Sequence, residues 1–98
     1  MIPRLLAEVA EAVGGRLRGA DATVSVVQTD SRRVEPGALF VALRGTHSDG
    51  HDFVDEALAR GAAAAVVRTA RSGGTVIEVV DTGRALLDLA ADDRRRMP

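Results

Sequence analysis

The sequence predicts an α/β fold in which a small mixed sheet is flanked by helices. Two observations lead to this class: amphipathic helical patterns alternate with short apolar runs, and glycine-rich or polar turns separate them. With 98 residues, of which 46% are hydrophobic and 28% charged, the chain has the composition of one globular domain with a modest core. We therefore predict a single domain over residues 1–98.

The first part of the chain predicts one helix followed by one or two strands. Apolar residues recur at helical spacing from Leu5 to Val13, and Gly14 then supplies a residue that tolerates positive φ at the helix end. Residues 16–19 and 23–28 alternate in polarity or are β-branched. They predict either two short strands or a single strand after an extended arm.

The middle of the chain predicts a strand, a helix and a second strand. Residues 39–43 form an apolar run after a Pro-Gly turn, which predicts a buried strand. Asp52 is placed to cap a helix that Gly61 ends. The alanine-rich run 62–67 favours a helix by propensity alone. However, it follows the preceding helix too closely to leave room for a second helix and its connecting loop. We therefore predict a parallel strand of small residues against which the preceding helix packs.

The last part of the chain predicts a strand and a longer helix. Residues 75–80 follow a Ser-Gly-Gly turn, and Thr82 is placed to cap a helix that runs into the arginines at 94–96. The sequence stops near the point where a further strand would begin. We therefore expect the chain to be the leading domain of a larger protein.

The composition argues against several classes of function. The aromatic content is 2% and the formal net charge is -1, so we expect neither an aromatic cage for bases, nor a stacking platform for single-stranded nucleic acid, nor a basic surface for nucleic acid. The absence of cysteine removes disulfides and thiolate metal sites. There is no long apolar run of the kind found in signal peptides and membrane spans, so we expect a cytoplasmic protein.

Two polar loops carry the side chains that can bind a ligand. Asp30, Ser31 and Arg32 follow a predicted strand, where the loops of an open α/β sheet gather around ligands. The alternative is an Asx-type turn, in which Asp30 and Ser31 hydrogen-bond only to their own backbone. The second loop, residues 45–51, lies between the buried strand and the next helix.

The second loop contains hydroxyl groups, an imidazole and carboxylates. The carboxylates of Asp49, Asp52 and Asp55 outweigh the partial positive charge of the helix end, so we do not place a diphosphate on that helix. Three side chains in or beside the two loops are better candidates for phosphate contact: Arg32, Arg44 and His47. Thr46 and Ser48 can bind a base or a ribose. A metal site made from the histidines and aspartates of this loop is disfavoured, because metal ligands normally converge from separated segments.

The sequence lacks the motifs of nucleotide hydrolysis and of nucleophilic catalysis. It has no lysine and no Gly-rich phosphate loop ending in Lys and Ser or Thr. It also has no nucleophile elbow. We therefore expect no catalytic residue in this segment.

Several short motifs, in this order, resemble the opening domain of the Mur ligases. They are Asp30-Ser31-Arg32, Pro36-Gly37, Leu39-Phe40-Val41-Ala42, Gly45 and Asp49-Gly50-His51-Asp52-Phe53. The resemblance implies an ATP-dependent amide ligase of peptidoglycan synthesis, in which this segment holds the UDP end of a UDP-N-acetylmuramoyl-peptide without being catalytic itself. It also implies that ATP, Mg²⁺ and D-alanyl-D-alanine bind to other domains.

The resemblance assigns uridine contacts by position in the two loops. The matching residues are Thr29, Ser31, Thr46, His47 and Ser48. Residues 14–21 and the pair Asp81-Thr82 are similar to the branch that adds D-alanyl-D-alanine. The branch that adds the third peptide residue is the near alternative. A non-catalytic protein-interaction module is the alternative from another class of function.

Overall fold

The computed structural model describes residues 1–45, 48–69 and 73–97, in which three α-helices are interspersed among short strands. The strands in these residues are β1 (Arg4–Leu5), β2 (Arg16–Arg18), β3 (Thr23–Val24), β4 (Val27–Gln28), β5 (Leu39–Val41), β6 (Ala64–Val67) and β7 (Val76–Glu78). The helices are α1 (Leu6–Ala12), α2 (Val54–Ala59) and α3 (Thr82–Arg96). Short 3-10 helices span Ser31–Arg33 and Gly50–Phe53, each close to one of the two polar loops.

Five of the strands form one mixed sheet in the order β2-β7-β6-β5-β4. The strands β4, β5, β6 and β7 are parallel, whereas β2 runs antiparallel to β7. The strands β1 and β3 form a separate antiparallel pair. The predicted mixed sheet is therefore confirmed. Because β4 to β7 are parallel, the loops that follow these strands lie along one edge of the sheet.

Alternate residues of the central strand β5 pack against opposite layers of helix. Leu39 and Val41 belong to the apolar cluster that contains α1 and α3, whereas Phe40 belongs to the cluster on the α2 side. All three side chains are at most 1% exposed. A strand buried on both faces needs consecutive apolar residues, which is the pattern seen in the sequence.

The alanine-rich run forms β6, which confirms the predicted parallel strand. Ala64 and Ala65 are fully buried between β5 and β7, and they face opposite helix layers. Their small side chains let the helices on both sides approach the sheet closely. Burial in the sheet therefore overrides the helix propensity of alanine.

Residues 23–28 are divided between two sheets, which corrects the prediction of one continuous strand over this range. The strand β3 pairs with β1, whereas Val27 in β4 lies opposite Leu39 in the main sheet. The two residues between β3 and β4 are exposed. A run of β-branched residues predicts extended backbone, but the choice of partner strand depends on distant parts of the chain.

Two helix caps lie at different residues from those predicted. Asp49, rather than Asp52, accepts the backbone N–H of His51 at 3.0 Å and begins the 3-10 helix that leads into α2. At the start of α3 the side chain of Asp81 is the cap, and Thr82 is the first helical residue. The sequence offers neighbouring capping side chains in both places, and the backbone conformation decides which one reaches the free N–H groups.

The helices are short, and two of them end at the glycines that the sequence indicated. Gly14 follows α1 with a φ of 65°, and Gly61 follows α2 with a φ of 99°. Residues that carry a Cβ atom rarely adopt these angles. The longest helix is α3, with 15 residues, and no helix in the described ranges combines the length and the apolar character needed to span a bilayer.

Candidate functional site

A cavity of about 480 Å³ opens at the carboxyl edge of the sheet, between the loops that follow β4 and β5. We call it the first cavity. Its polar lining residues are Thr29, Asp30, Ser31, Arg32, Ser48 and Glu56. Phe40, Leu43 and Phe53 supply apolar surface. The volume falls within the range of small-molecule sites, roughly 300 to 1,000 Å³.

Ser31 is the most buried polar side chain of the first cavity. The residue is 6% exposed, and its Oγ donates to Oε2 of Glu56 at 3.4 Å. Oε1 of Glu56 accepts from Nε of Arg60 at 3.3 Å. A hydroxyl group has one proton to donate and two lone pairs. The Ser31 oxygen can therefore still accept a hydrogen bond from a ligand.

Asp30 and Arg32 form an ion pair at the rim of the first cavity. Nε and Nη2 of Arg32 each donate to the Asp30 carboxylate at 3.0 Å, and Oδ1 also accepts the backbone N–H of Arg32. These hydrogen bonds lower the pKa of Asp30 from 3.8 to about 2. The same carboxylate raises the pKa of Arg32. The Asx-type turn is therefore present at Asp30, and a phosphate contact by Arg32 would compete with this carboxylate.

Gly50 and Leu43 make a close backbone contact in the wall of the first cavity. The N–H of Gly50 donates to the carbonyl oxygen of Leu43 at 2.7 Å. A Cβ atom on Gly50 would lie 2.7 Å from the Leu43 nitrogen and 2.8 Å from its carbonyl oxygen. Because both neighbours are backbone atoms, only glycine allows this approach. The contact holds the 3-10 helix against the end of β5.

His51 joins the 3-10 helix to β6 and does not line the first cavity. It is 8% exposed, its Nδ1 lies 2.7 Å from Oδ1 of Asp49, and its Nε2 accepts the backbone N–H of Arg68 at 2.8 Å. Because Nε2 accepts, these contacts assign the tautomer whose proton is on Nδ1. Both ring nitrogens are therefore engaged by the protein. Within the described ranges no three His, Cys, Asp or Glu side chains converge as metal ligands.

The structure brings part of the predicted site together. Four of the predicted binding residues line the first cavity: Thr29, Ser31, Arg32 and Ser48. Arg44 lies instead on a neighbouring cavity. Thr46 and His47 lie outside the described residues. The ligand contacts of all these residues stay predictions.

Phe40, Phe53 and Glu56 are among the lining residues to which the sequence analysis gave no ligand contact. Phe40 was assigned to the core strand, Phe53 to the apolar face of the next helix, and Glu56 received no role. Phe53 is 40% exposed, so its ring lies partly outside the core. Glu56 follows it by three residues, a spacing that places two side chains on the same side of a helix. That spacing is the sequence signal that could have identified Glu56.

The α/β fold is that of a family of ligases. A sequence model described as the Mur ligase family, catalytic domain, matches residues 23–94. This match covers more than half of the chain, and the chain therefore belongs to the Mur ligase family.

The similar proteins include two kinds of ligase from this family. The chain is 42% identical over 99 residues to the UDP-N-acetylmuramoyl-tripeptide--D-alanyl-D-alanine ligase of Escherichia coli K12, a match that covers 100% of this chain and 22% of that protein. It is 40% identical over 74 residues to the UDP-N-acetylmuramoyl-L-alanyl-D-glutamate--2,6-diaminopimelate ligase of Geobacillus kaustophilus, a match that covers 76% of this chain and 15% of that protein.

A solved structure confirms the predicted fold class. The chain superposes on a crystal structure of MurF from Acinetobacter baumannii with a TM-score of 0.89 and 30% identity, covering 96% of this chain and 22% of that chain. The fold is that of the N-terminal domain of such ligases. This chain spans between 15% and 22% of the length of the three proteins compared.

Proposed function

We propose that this chain is the domain that binds the UDP end of UDP-N-acetylmuramoyl-tripeptide in a cytoplasmic, ATP-dependent ligase that adds D-alanyl-D-alanine. The observation that supports the proposal is the first cavity, which gathers Thr29, Ser31 and Ser48 at the carboxyl edge of a parallel sheet. Family membership and the 42% identity over the whole chain support the same class of substrate.

The lining of the first cavity suits a pyrimidine nucleoside. Uracil presents two carbonyl acceptors and one N–H donor, and its ring has two apolar faces. The hydroxyl groups of Thr29, Ser31 and Ser48 can donate or accept, and the Glu56 carboxylate can accept. The ring of Phe53 offers a partly exposed aromatic face on which a base can stack.

The proposed role of this domain is positioning. Binding energy from a part of the substrate that does not react can orient the reacting group held by other parts of an enzyme. Holding the UDP end would place the peptide carboxylate for phosphorylation by ATP and attack by the amine of the dipeptide. In the proposal, ATP and Mg²⁺ bind to other domains, and the lack of lysine and of a Gly-rich phosphate-binding loop in this sequence supports that assignment.

The ligase that adds the third peptide residue is the second candidate. The 40% identity to a diaminopimelate ligase favours it, because that match covers 76% of this chain. Both candidates share the UDP end of the substrate and differ in the peptide. Assays of the complete enzyme with tripeptide and dipeptide precursors would distinguish them.

Binding of uridine to the 98-residue chain, followed by amide chemical shifts, tests the proposal. We expect shifts at Ser31 and Phe53, and weaker binding by Ser31→Ala. Ser25→Ala is the matched control, because Ser25 is exposed in the link between β3 and β4 and does not line the first cavity. If millimolar uridine left the Ser31 and Phe53 amides unmoved, or if both variants bound uridine equally, the proposal would be wrong.

A further inference from the structure

The carboxylate of Glu56 lines the first cavity from the first turn of α2. The side chain is 40% exposed, and its Oε1 accepts a hydrogen bond from Nε of Arg60 at the end of the same helix. Asp30, the other carboxylate of this cavity, has both oxygens bound by Arg32. Among the described lining residues, Glu56 is therefore the carboxylate better placed to accept a hydrogen bond from a ligand.

Glu56 also fixes the direction in which the Ser31 hydroxyl group can act. Oγ of Ser31 lies 3.4 Å from Oε2 of Glu56. An ionised carboxylate only accepts hydrogen bonds, so the single hydroxyl proton of Ser31 is directed to Glu56, and only lone pairs remain for a ligand. Ser31 is 6% exposed, which leaves it little contact with water. This wall of the first cavity therefore presents two acceptors side by side.

Two adjacent acceptors favour a ligand group that donates. N3 of uracil carries a proton, whereas N3 of cytosine carries a lone pair. An N–H directed between Ser31 and Glu56 can donate to either oxygen, and the hydroxyl groups of Thr29 and Ser48 can donate to the carbonyl oxygens of the ring. Cytosine in the same position would place the N3 lone pair against two acceptors. A polar group left without a partner in this way weakens binding.

The alternative role of Glu56 is to stabilise α2 through its ion pair with Arg60. Both side chains of this pair are exposed to solvent by 40% or more, and such pairs contribute little to stability. The contact with Ser31 is different, because it joins α2 to a residue 25 positions earlier in the chain. A role confined to the helix would not require that contact.

We propose that Glu56 selects uracil over cytosine in the first cavity, by accepting the N3–H of the base and by holding the Ser31 hydroxyl group as a second acceptor. This inference rests on the proposed function. It adds to that function a residue that determines which pyrimidine is bound.

The test measures the affinity of the 98-residue chain for UDP and for CDP by calorimetry and amide chemical shifts. We expect the wild type to bind UDP at least about tenfold more tightly, because CDP lacks the N3–H donor. Glu56→Gln preserves the size of the side chain, but its amide group can also donate to Ser31 or to N3 of cytosine. It should weaken UDP binding by about three- to tenfold without weakening CDP binding. The preference for UDP should therefore fall.

Asp55→Asn is the matched control for the loss of one negative charge from the first turn of α2. Asp55 precedes Glu56, is exposed and does not line the first cavity. Its substitution should leave the ratio of the UDP and CDP affinities unchanged. Arg60→Gln should also retain the ratio, because it removes the partner of Oε1 and leaves the contact of Oε2 with Ser31. If Asp55→Asn lowered the ratio as much as Glu56→Gln does, general charge would explain the effect and the proposal would fail.

The Ser31 amide separates this inference from the proposed function. If UDP shifts this amide but the wild type binds UDP and CDP equally, the proposed function is retained and the role of Glu56 is overturned. A preference for UDP that survives Glu56→Gln, or an equal loss of both affinities in that variant, has the same consequence. No shift at Ser31 with either nucleotide at millimolar concentration would overturn both the inference and the proposed function.

Discussion

The backbone N–H of Arg68 donates to Nε2 of His51 at 2.8 Å, and this bond joins the end of β6 to the 3-10 helix before α2. The Nδ1 atom of the same ring contacts Asp49 at 2.7 Å. Gly50, which precedes His51, lines the first cavity, and Arg68 lines the neighbouring cavity on which Arg44 lies. One buried imidazole therefore holds the walls of both cavities in place.

We predict that His51→Ala destabilises the fold. It removes two hydrogen bonds and leaves the Arg68 N–H without its partner, a cost of roughly 1 to 3 kcal/mol in the free energy of unfolding. Urea unfolding measures this change. Arg68→Gln is the control, because the bond comes from the Arg68 backbone and survives the substitution. Equal stability of His51→Ala and the wild type would show that the imidazole does not hold the two segments together.

Gly50→Ala should destabilise the chain more than a typical surface substitution. The new Cβ would meet the Leu43 backbone at 2.7 and 2.8 Å, and the backbone can relieve this overlap only by moving away from β5. We expect a loss of about 1 to 3 kcal/mol, measured by urea unfolding. Gly73→Ala is the matched control, because a Cβ there meets nothing within 4 Å in the described part of the chain. Similar losses for the two variants would contradict this account.

The buried Arg4 makes the stability of the chain depend on Asp92. The Arg4 side chain is 1% exposed, its Nη2 donates to Asp92, and its Nε and Nη1 have no partner among the described residues. Asp92→Asn should lower the thermal midpoint clearly, because a buried charge that loses its counter-ion is strongly unfavourable. Asp88→Asn removes only an exposed pair with Arg84, and it should have little effect. Equal midpoints for the two variants would show that Arg4 does not need this carboxylate.

The Asp30–Arg32 pair should contribute to acid sensitivity. The pKa of Asp30 is lowered from 3.8 to about 2 by the hydrogen bonds from Arg32, so folding favours the ionised carboxylate. Its stabilising contribution is therefore complete above about pH 4 and is lost as the pH falls towards about 2. Carboxyl NMR titration measures the shift directly. In Asp30→Asn, stability should fall less steeply over this pH range, and an unchanged slope would contradict the prediction.

Local patterns in the sequence predicted the elements that depend on neighbouring residues. The apolar run through Phe40 predicted a strand buried on both faces, and Gly14 and Gly61 marked helix ends. The alanine-rich run after Gly61 indicated a strand, because no room remained there for another helix and its loop. These features follow from the steric preferences of each residue and from the periodicity of apolar side chains, which act over a few positions.

Only the tertiary structure decided how distant segments meet. Residues 23–28 are divided between two sheets, the capping residues are Asp49 and Asp81, and His51 links the 3-10 helix to β6. The sequence determined by itself that polar loops follow the parallel strands. The packing of those strands decided that Ser31 lies on one cavity and Arg44 on the next, because strand order and register set which loop ends are neighbours.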